Sequence, residues 1–179
     1  MAITQLFSIF RVLPALALSA CQSTTVATLP TVPYVDLKRF MGDWYVIANI
    51  PTFIEKGAHN AIESYHLDGD NSIAVTFTFR AGAFDGKLKK YSPRGFVRDT
   101  HSNALWVMQF IWSFKADYRI TYIADDYSQT VISREKRDYV WVMARTPSIP
   151  EEDYLRLLKI VGEQGYDLNQ IQKVPQRWP

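Results

Sequence analysis

The chain of 179 residues contains a single cysteine, so no intramolecular disulfide can form. A folded domain must then rest on its core and its hydrogen-bond ladder alone. Charge of one sign is also missing. The net charge of +2 is too small to argue for a nucleic-acid partner, and no acidic or basic tail is present. No apolar run reaches the ~20 residues that a membrane-spanning helix needs. Internal repeats and low-complexity segments are absent as well. What is present is apolar bulk: 47% hydrophobic residues and 14% aromatic residues, in a length that suits one domain. Such an aromatic share suggests wide apolar surfaces, in strands or around a pocket.

The longest early apolar run is Val12-Leu13-Pro14-Ala15-Leu16-Ala17-Leu18, preceded by Arg11 and followed by Ser19-Ala20-Cys21. It fits the apolar region of a secretory signal with small residues before the cut. Leu18-Ser19-Ala20-Cys21 resembles the bacterial lipobox. That resemblance implies removal of residues 1–20, acylation of Cys21, and a membrane anchor of several acyl chains, which holds where one chain is marginal. Gln22 stands where an Asp would imply inner-membrane retention, so the implied address is the outer membrane, facing the periplasm. Ser23 to Pro33 is rich in Ser, Thr and Pro and reads as a tether, giving a lipidated segment over 21–34.

From Val35 onward the pattern changes. Asp36 to Gly42 reads as one helical turn, with Asp36 as N-cap and Gly42 as stop. Strand-like segments then follow at Trp44–Ala48, Ala61–Leu67, Ile73–Arg80, Tyr91–Arg98, Leu105–Ile111, Tyr118–Ala124, Thr130–Ser133 and Tyr139–Ala144. Turn signals separate most of them: Asp68 to Asn71, Gly82 to Gly86, Asp99 to Asn103, Asp125-Asp126 and Arg137-Asp138. Eight short, evenly spaced strands suggest a closed antiparallel barrel or a sandwich. One helix comes last. Ser148 to Glu151 has capping-box spacing, and Tyr154, Leu157, Leu158 and Val161 share a face that suits packing on the barrel's outside. Gln170 to Val174 is a further extended piece.

Three short motifs narrow the choice. Gly42-Asp43-Trp44 follows the helical turn, Asp125-Asp126-Tyr127 follows the sixth strand, and Arg145 ends the eighth. Together and in this order they resemble the three signatures of the lipocalins, and with the lipobox they resemble the bacterial outer-membrane lipoprotein type. Asp125 departs from the threonine usual at its position. The resemblance covers Val35 to about Val174 and implies an eight-stranded up-and-down barrel with one C-terminal helix on its outside, over residues 35–179. It also implies Pro51 to Gly57 as a long loop over the mouth. The signature residues Gly42, Trp44, Asp126, Tyr127 and Arg145 carry structural roles. Trp44 plugs the closed end, with the Arg145 guanidinium over its indole and spare donors for carbonyls of the helical turn.

A barrel of eight strands is either filled by side chains or holds one small ligand. Period-two reading assigns Val75, Phe77 and Phe79, Trp106, Met108 and Phe110, and Tyr118, Ile120 and Tyr122 to the interior. With Tyr65 these ten are the candidate ligand-binding residues. The lining suits an acyl chain with a polar head near the mouth, so the expected partner is a fatty acid or lysophospholipid, stored or transported. Arg80, Lys87, Lys89 and Lys90 fit either a rim that attracts an anionic head or a solvated hairpin. No cofactor or metal is implied, since His59, His66 and His101 lack metal-ligand spacing. An enzyme on this scaffold is the less favoured class. The cysteine that some family members use inside the barrel has no counterpart, because Cys21 lies outside it. Glu63, beside Tyr65, is either the inward carboxylate an acid–base role would need or, as the favoured reading, a partly exposed glutamate near the mouth. A third class is an interaction lipoprotein with a packed barrel, in which Trp112 and Phe114 line a homodimer contact or touch the membrane; the same two residues equally suit closing the mouth.

Overall fold

The computed structural model describes residues 28–70, 72–111 and 114–178. The signal and Cys21 lie outside the described residues, as do Trp112 and the side chain of Phe114.

A helical turn, α1 (Leu37–Phe40), leads into β1 (Gly42–Ile50). Asp36 caps α1 by accepting from the backbone N–H groups of Lys38 and Arg39. Gly42 turns the chain into β1 at φ +93°, a conformation that favours glycine. Then follow β2 (Ala58–Leu67), β3 (Ser72–Ala81), β4 (Leu88–Tyr91), β5 (Arg94–Val97), β6 (Leu105–Ile111), β7 (Phe114–Ile123), β8 (Gln129–Ser133) and β9 (Val140–Ala144). Successive strands pair antiparallel, except that β4 and β5 both pair with β3, and β9 returns to pair with β1. That closure decides for the barrel and against the sandwich.

The expected fourth strand is broken in two at Ser92-Pro93, giving β4 and β5. Proline has no N–H for the ladder, but its carbonyl still accepts from Val75 N at 3.0 Å. Counted as one interrupted strand, β4 and β5 complete the eight. Turns at Asp70, Asp99 and Asp126 are held by one device. Each carboxylate accepts the N–H two residues on, from Ser72, His101 and Ser128. The hydroxyls of Ser72, Ser102 and Ser128, which also donate to these carboxylates, and after them the N–H bonds hold the three carboxyls below their ordinary pKa.

Two apolar clusters divide the interior from the outer face. The barrel interior gathers Phe40, Trp44, Tyr65, Val75, Phe77, Phe79, Trp106, Met108, Tyr118 and Ile120. Outside, α2 (Glu151–Glu163) packs Tyr154, Leu157 and Val161 onto Val131, Val140 and Val142. The expected capping box does not form: Pro150 is the N-cap, without a side-chain bond, and the helix starts at Glu151. The final extended piece shortens to β10 (Gln172–Lys173), which pairs with β1.

The described end of the expected tether is not free. Leu29 is buried in the outer cluster, its N–H donating to Glu135 and its carbonyl accepting from Arg119. Val32 N then donates to Ile120 O, and Val35 N to Ser102 O. Apolar side chains at Leu29, Val32 and Val35 give this segment something to bury that its Ser and Thr content conceals.

Irregular pairing re-aims two strands. In β7 the register shifts between Ile120 and Tyr122, so one extra residue, Thr121, opposes β8. Beyond such a bulge the alternation inverts. Ile120 faces inward, but Tyr122 turns outward, where its hydroxyl accepts from Arg156 Nη1 at 2.7 Å. The assignment of Tyr122 to the interior is therefore wrong. β1 does the same between Val46 and Ala48, sending Val46 in and Ile47 and Ala48 out to the helix.

Candidate functional site

The barrel's closed end is solid. Phe40 stands 5.1 Å from Trp44 between ring centroids and 5.4 Å from both Tyr65 and Trp106. Trp44 donates its indole N–H to Phe40 O. The Arg145 guanidinium lies 3.7 Å from the Trp44 ring and donates to carbonyls of Arg39, Phe40, Met41 and Asp43. Tyr127, at positive φ, accepts from Asp36 N at 2.7 Å and carries Arg39 over its ring. All of this is closure and none of it lines free space.

Above the plug the barrel is hollow. The cavity is lined by Val75, Phe77, Tyr91, Pro93, Met108, Phe110, Tyr118 and Trp141 on the strands, with Thr52, Ile54 and Glu55 from the β1–β2 loop and Glu63 from β2. Its enclosed volume is about 30 Å³, room for only about two waters. The space is therefore slender. An acyl chain enters it only if lining side chains such as Phe77 or Met108 move.

Five of the ten expected residues line this cavity: Val75, Phe77, Met108, Phe110 and Tyr118. Phe110 is at the mouth, where it is 38% exposed. Tyr65, Phe79, Trp106 and Ile120 face inward but sit in the packed interior rather than on the free space. Tyr122 is on the outer face.

The lining holds two carboxyls. Glu55 is fully employed: Oε1 accepts from Trp141 Nε1 at 2.8 Å, and Oε2 accepts from Thr52 N at 2.9 Å and Thr52 Oγ1 at 2.5 Å. It staples the mouth loop to β9. Nothing in the sequence marked it, apart from a charge directly after the apolar Phe53-Ile54 of that loop.

Glu63 is different. Its Oε2 accepts from the Tyr65 hydroxyl, and Tyr65 in turn lies 2.7 Å from the Tyr118 hydroxyl. With its one proton given to Glu63, Tyr65 accepts from Tyr118. Burial pushes Glu63 up to about 7; the Tyr65 bond opposes this and Glu55 adds to it. Burial also drives both phenols well above their ordinary range, so they stay protonated. Among the described residues, the lining contains neither thiol nor imidazole.

Cations stay at the rim. In the β3–β4 pairing Phe77 faces Tyr91 and Phe79 faces Lys89, and directly opposed residues share a face. Lys89 therefore stands on the inner face, one pleat nearer the mouth than Tyr91. Lys87, Lys90 and Arg80 are exposed, and Arg80 turns back to Gly86 O at 3.3 Å.

A family profile described as a lipocalin-like domain matches residues 35–176. Temperature-induced lipocalin-1 of Arabidopsis thaliana is 29% identical over 153 residues, covering 79% of this chain and 80% of its own. The outer membrane lipoprotein Blc of Citrobacter freundii is 28% identical over 169 residues, covering 90% of this chain and 95% of its own. Among solved structures, insecticyanin from the tobacco hornworm Manduca sexta superposes with a TM-score of 0.66 at 16% identity, covering 83% of this chain and 84% of that one.

Proposed function

The chain belongs to the lipocalin-like family, and from that premise we propose that it is a lipid-binding lipoprotein of the bacterial outer membrane, carrying a fatty acid or lysophospholipid in its calyx. The observation that carries this reading is the slender cavity above a solid plug, lined by apolar side chains with Glu55, Glu63, Thr52, Tyr91 and Tyr118 as its main polar groups. Burial of an acyl chain contributes ~0.8 kcal/mol per methylene, from which ordering costs are subtracted. The lining also fixes polarity. Among the described residues, two carboxyls and no cation line the cavity, while Lys89 stands on the inner face toward the mouth. A lipid with an anionic head therefore enters tail first and leaves its head at the rim.

Similarity to the Blc lipoproteins, together with Leu18-Ser19-Ala20-Cys21, supports an anchor at Cys21, residues 1–20 as its signal, and a periplasm-facing outer-membrane address. The absence of thiol and imidazole from the lining favours holding a ligand over transforming it.

Native mass spectrometry of the full chain carrying Cys21→Ser, mixed with palmitate or a lysophospholipid, tests the binding reading. The expected result is a one-to-one adduct that disappears when Phe77 is replaced by Trp, which fills the cavity. A protein that stays unliganded with every lipid would mean a barrel that works through its exterior. Incorporation of labelled acyl chains in cells, lost on Cys21→Ser, tests the anchor.

A further inference from the structure

We infer that Glu63 makes the calyx selective for a chain bearing a hydroxyl part-way along its length over a plain chain of the same length. The inference rests on the calyx holding a chain tail first.

The reason is an unfilled hydrogen-bonding position in an apolar tube. Glu55, the other carboxyl, has both oxygens paired to Trp141 and Thr52. Glu63 has one oxygen paired to Tyr65, and no described residue donates to the other. That oxygen belongs to a side chain lining the cavity, among Val75, Phe77 and Met108. Tyr65 cannot serve it, since its hydroxyl is engaged with the first oxygen and with Tyr118. Around Glu63 the titratable and charged neighbours are Glu55, Tyr65 and Tyr118, with Tyr91 on the same lining and Lys89 a pleat beyond it toward the mouth. No cation of the lining neutralises it.

A plain methylene chain drawn into this space expels solvent and leaves the free oxygen unpaired, which is costly for a buried polar group and more so for a charged one. A hydroxyl at the same depth donates to it. A site whose buried polar group awaits a ligand hydroxyl rejects the analogue lacking it far more strongly than an apolar wall rejects a misplaced methylene. Register sets the depth. Glu63 lies opposite Phe77, one pleat below the Phe79–Lys89 pair, so the hydroxyl belongs along the chain and not at the head. The position of Glu63 near neutrality agrees: burial and Glu55 both disfavour the charge, and no bond from the cavity side offsets them.

The test is calorimetric titration of the full chain carrying Cys21→Ser with stearate and a positional series of monohydroxystearates. It is run at pH 8.5, where the free oxygen is a bare acceptor. At least one hydroxystearate is expected to bind tenfold or more tighter than stearate, the size of a charge-assisted hydrogen bond. In Glu63→Met, stearate is expected to gain affinity and the ratio to fall to about one. Should that variant fail to fold, Glu63→Gln is expected to keep a reduced preference that no longer varies between pH 5.5 and 8.5. Stearate binding as tightly as every isomer, or a preference that survives Glu63→Met unchanged, overturns the selectivity and leaves the calyx reading standing. If no fatty acid binds at any pH, both fall.

Discussion

The guanidinium of Arg145, on the first residue after β9, lies 3.7 Å from the centroid of the Trp44 indole at the start of β1. The same group donates 2.7 Å to the Asp43 carbonyl and 2.7–3.0 Å to those of Arg39, Phe40 and Met41. One side chain therefore joins the two ends of the barrel's chain order and caps α1, whose carbonyls have no partner further along the helix. Arg145→Lys keeps the charge but loses the planar fork. It is expected to lower unfolding free energy by about 2–4 kcal/mol, the sum of a weakened cation–π contact and two or three lost bonds. Urea unfolding monitored by Trp fluorescence measures this, and lipid binding at the distant cavity is expected to be unchanged.

The closed end was legible in the sequence because it depends on a few residue types in a fixed chain order: Gly42, Trp44, Tyr127 and Arg145. Inward faces were legible wherever the pairing is unbroken. In β3, Val75, Phe77 and Phe79 all point in, as alternation requires. Alternation fails at Tyr122 because the bulge at Thr121 adds a residue that no glycine or proline announces. It also cannot separate a residue that borders free space from one that fills it. Phe77 and Phe79 share a face and lie 5.2 Å apart, yet only Phe77 reaches the cavity. That distinction depends on how Phe79 stacks against Tyr91, with ring centroids 6.1 Å apart, which is a property of packing across strands. The role of Glu55 was illegible for a similar reason: its partner Trp141 is 86 residues away.

The Glu55–Trp141 bond fastens the mouth loop, so its loss is expected to free that loop. Trp141→Phe leaves Glu55 Oε1 without its donor. Amide exchange over residues 51–57 is expected to quicken markedly while exchange in β6 and β9 changes little. Stability is expected to drop by about 1–3 kcal/mol, the cost of an unsatisfied buried acceptor. Unchanged exchange in the loop would mean that Thr52 alone holds it.

The outer cluster supports the barrel without touching the cavity. Leu157 is fully buried between α2 and the strands, and none of the cavity-lining residues comes from α2. Leu157→Ala is expected to cost about 2–5 kcal/mol of stability. The same variant is expected to bind palmitate as wild type does at temperatures where it remains folded. Paired thermal-melt and mass-spectrometric measurements separate the two effects.

Glu63 gives stability a pH dependence opposite in sign to that of a salt-bridged carboxylate. Its folded pKa is about 7, above the ordinary 4.5, because burial and Glu55 disfavour the charge more than the Tyr65 bond favours it. The native state thus holds a proton that the unfolded chain has released between these two values. Unfolding then loses a proton, so stability falls as pH rises across the window. The contribution is fully present below pH 4.5, declines from there to about 7, and is absent above it. The total is of order 3 kcal/mol. Glu63→Gln removes the titration while keeping a hydrogen-bond acceptor for Tyr65. Urea unfolding of both proteins at pH 4.5, 6, 7 and 8.5 is expected to show the variant gaining on wild type with each step up to 7, then holding a constant advantage. A difference that stays flat across that range would place Glu63 ionised at every pH, and with it the claim that the calyx desolvates this side chain would fail.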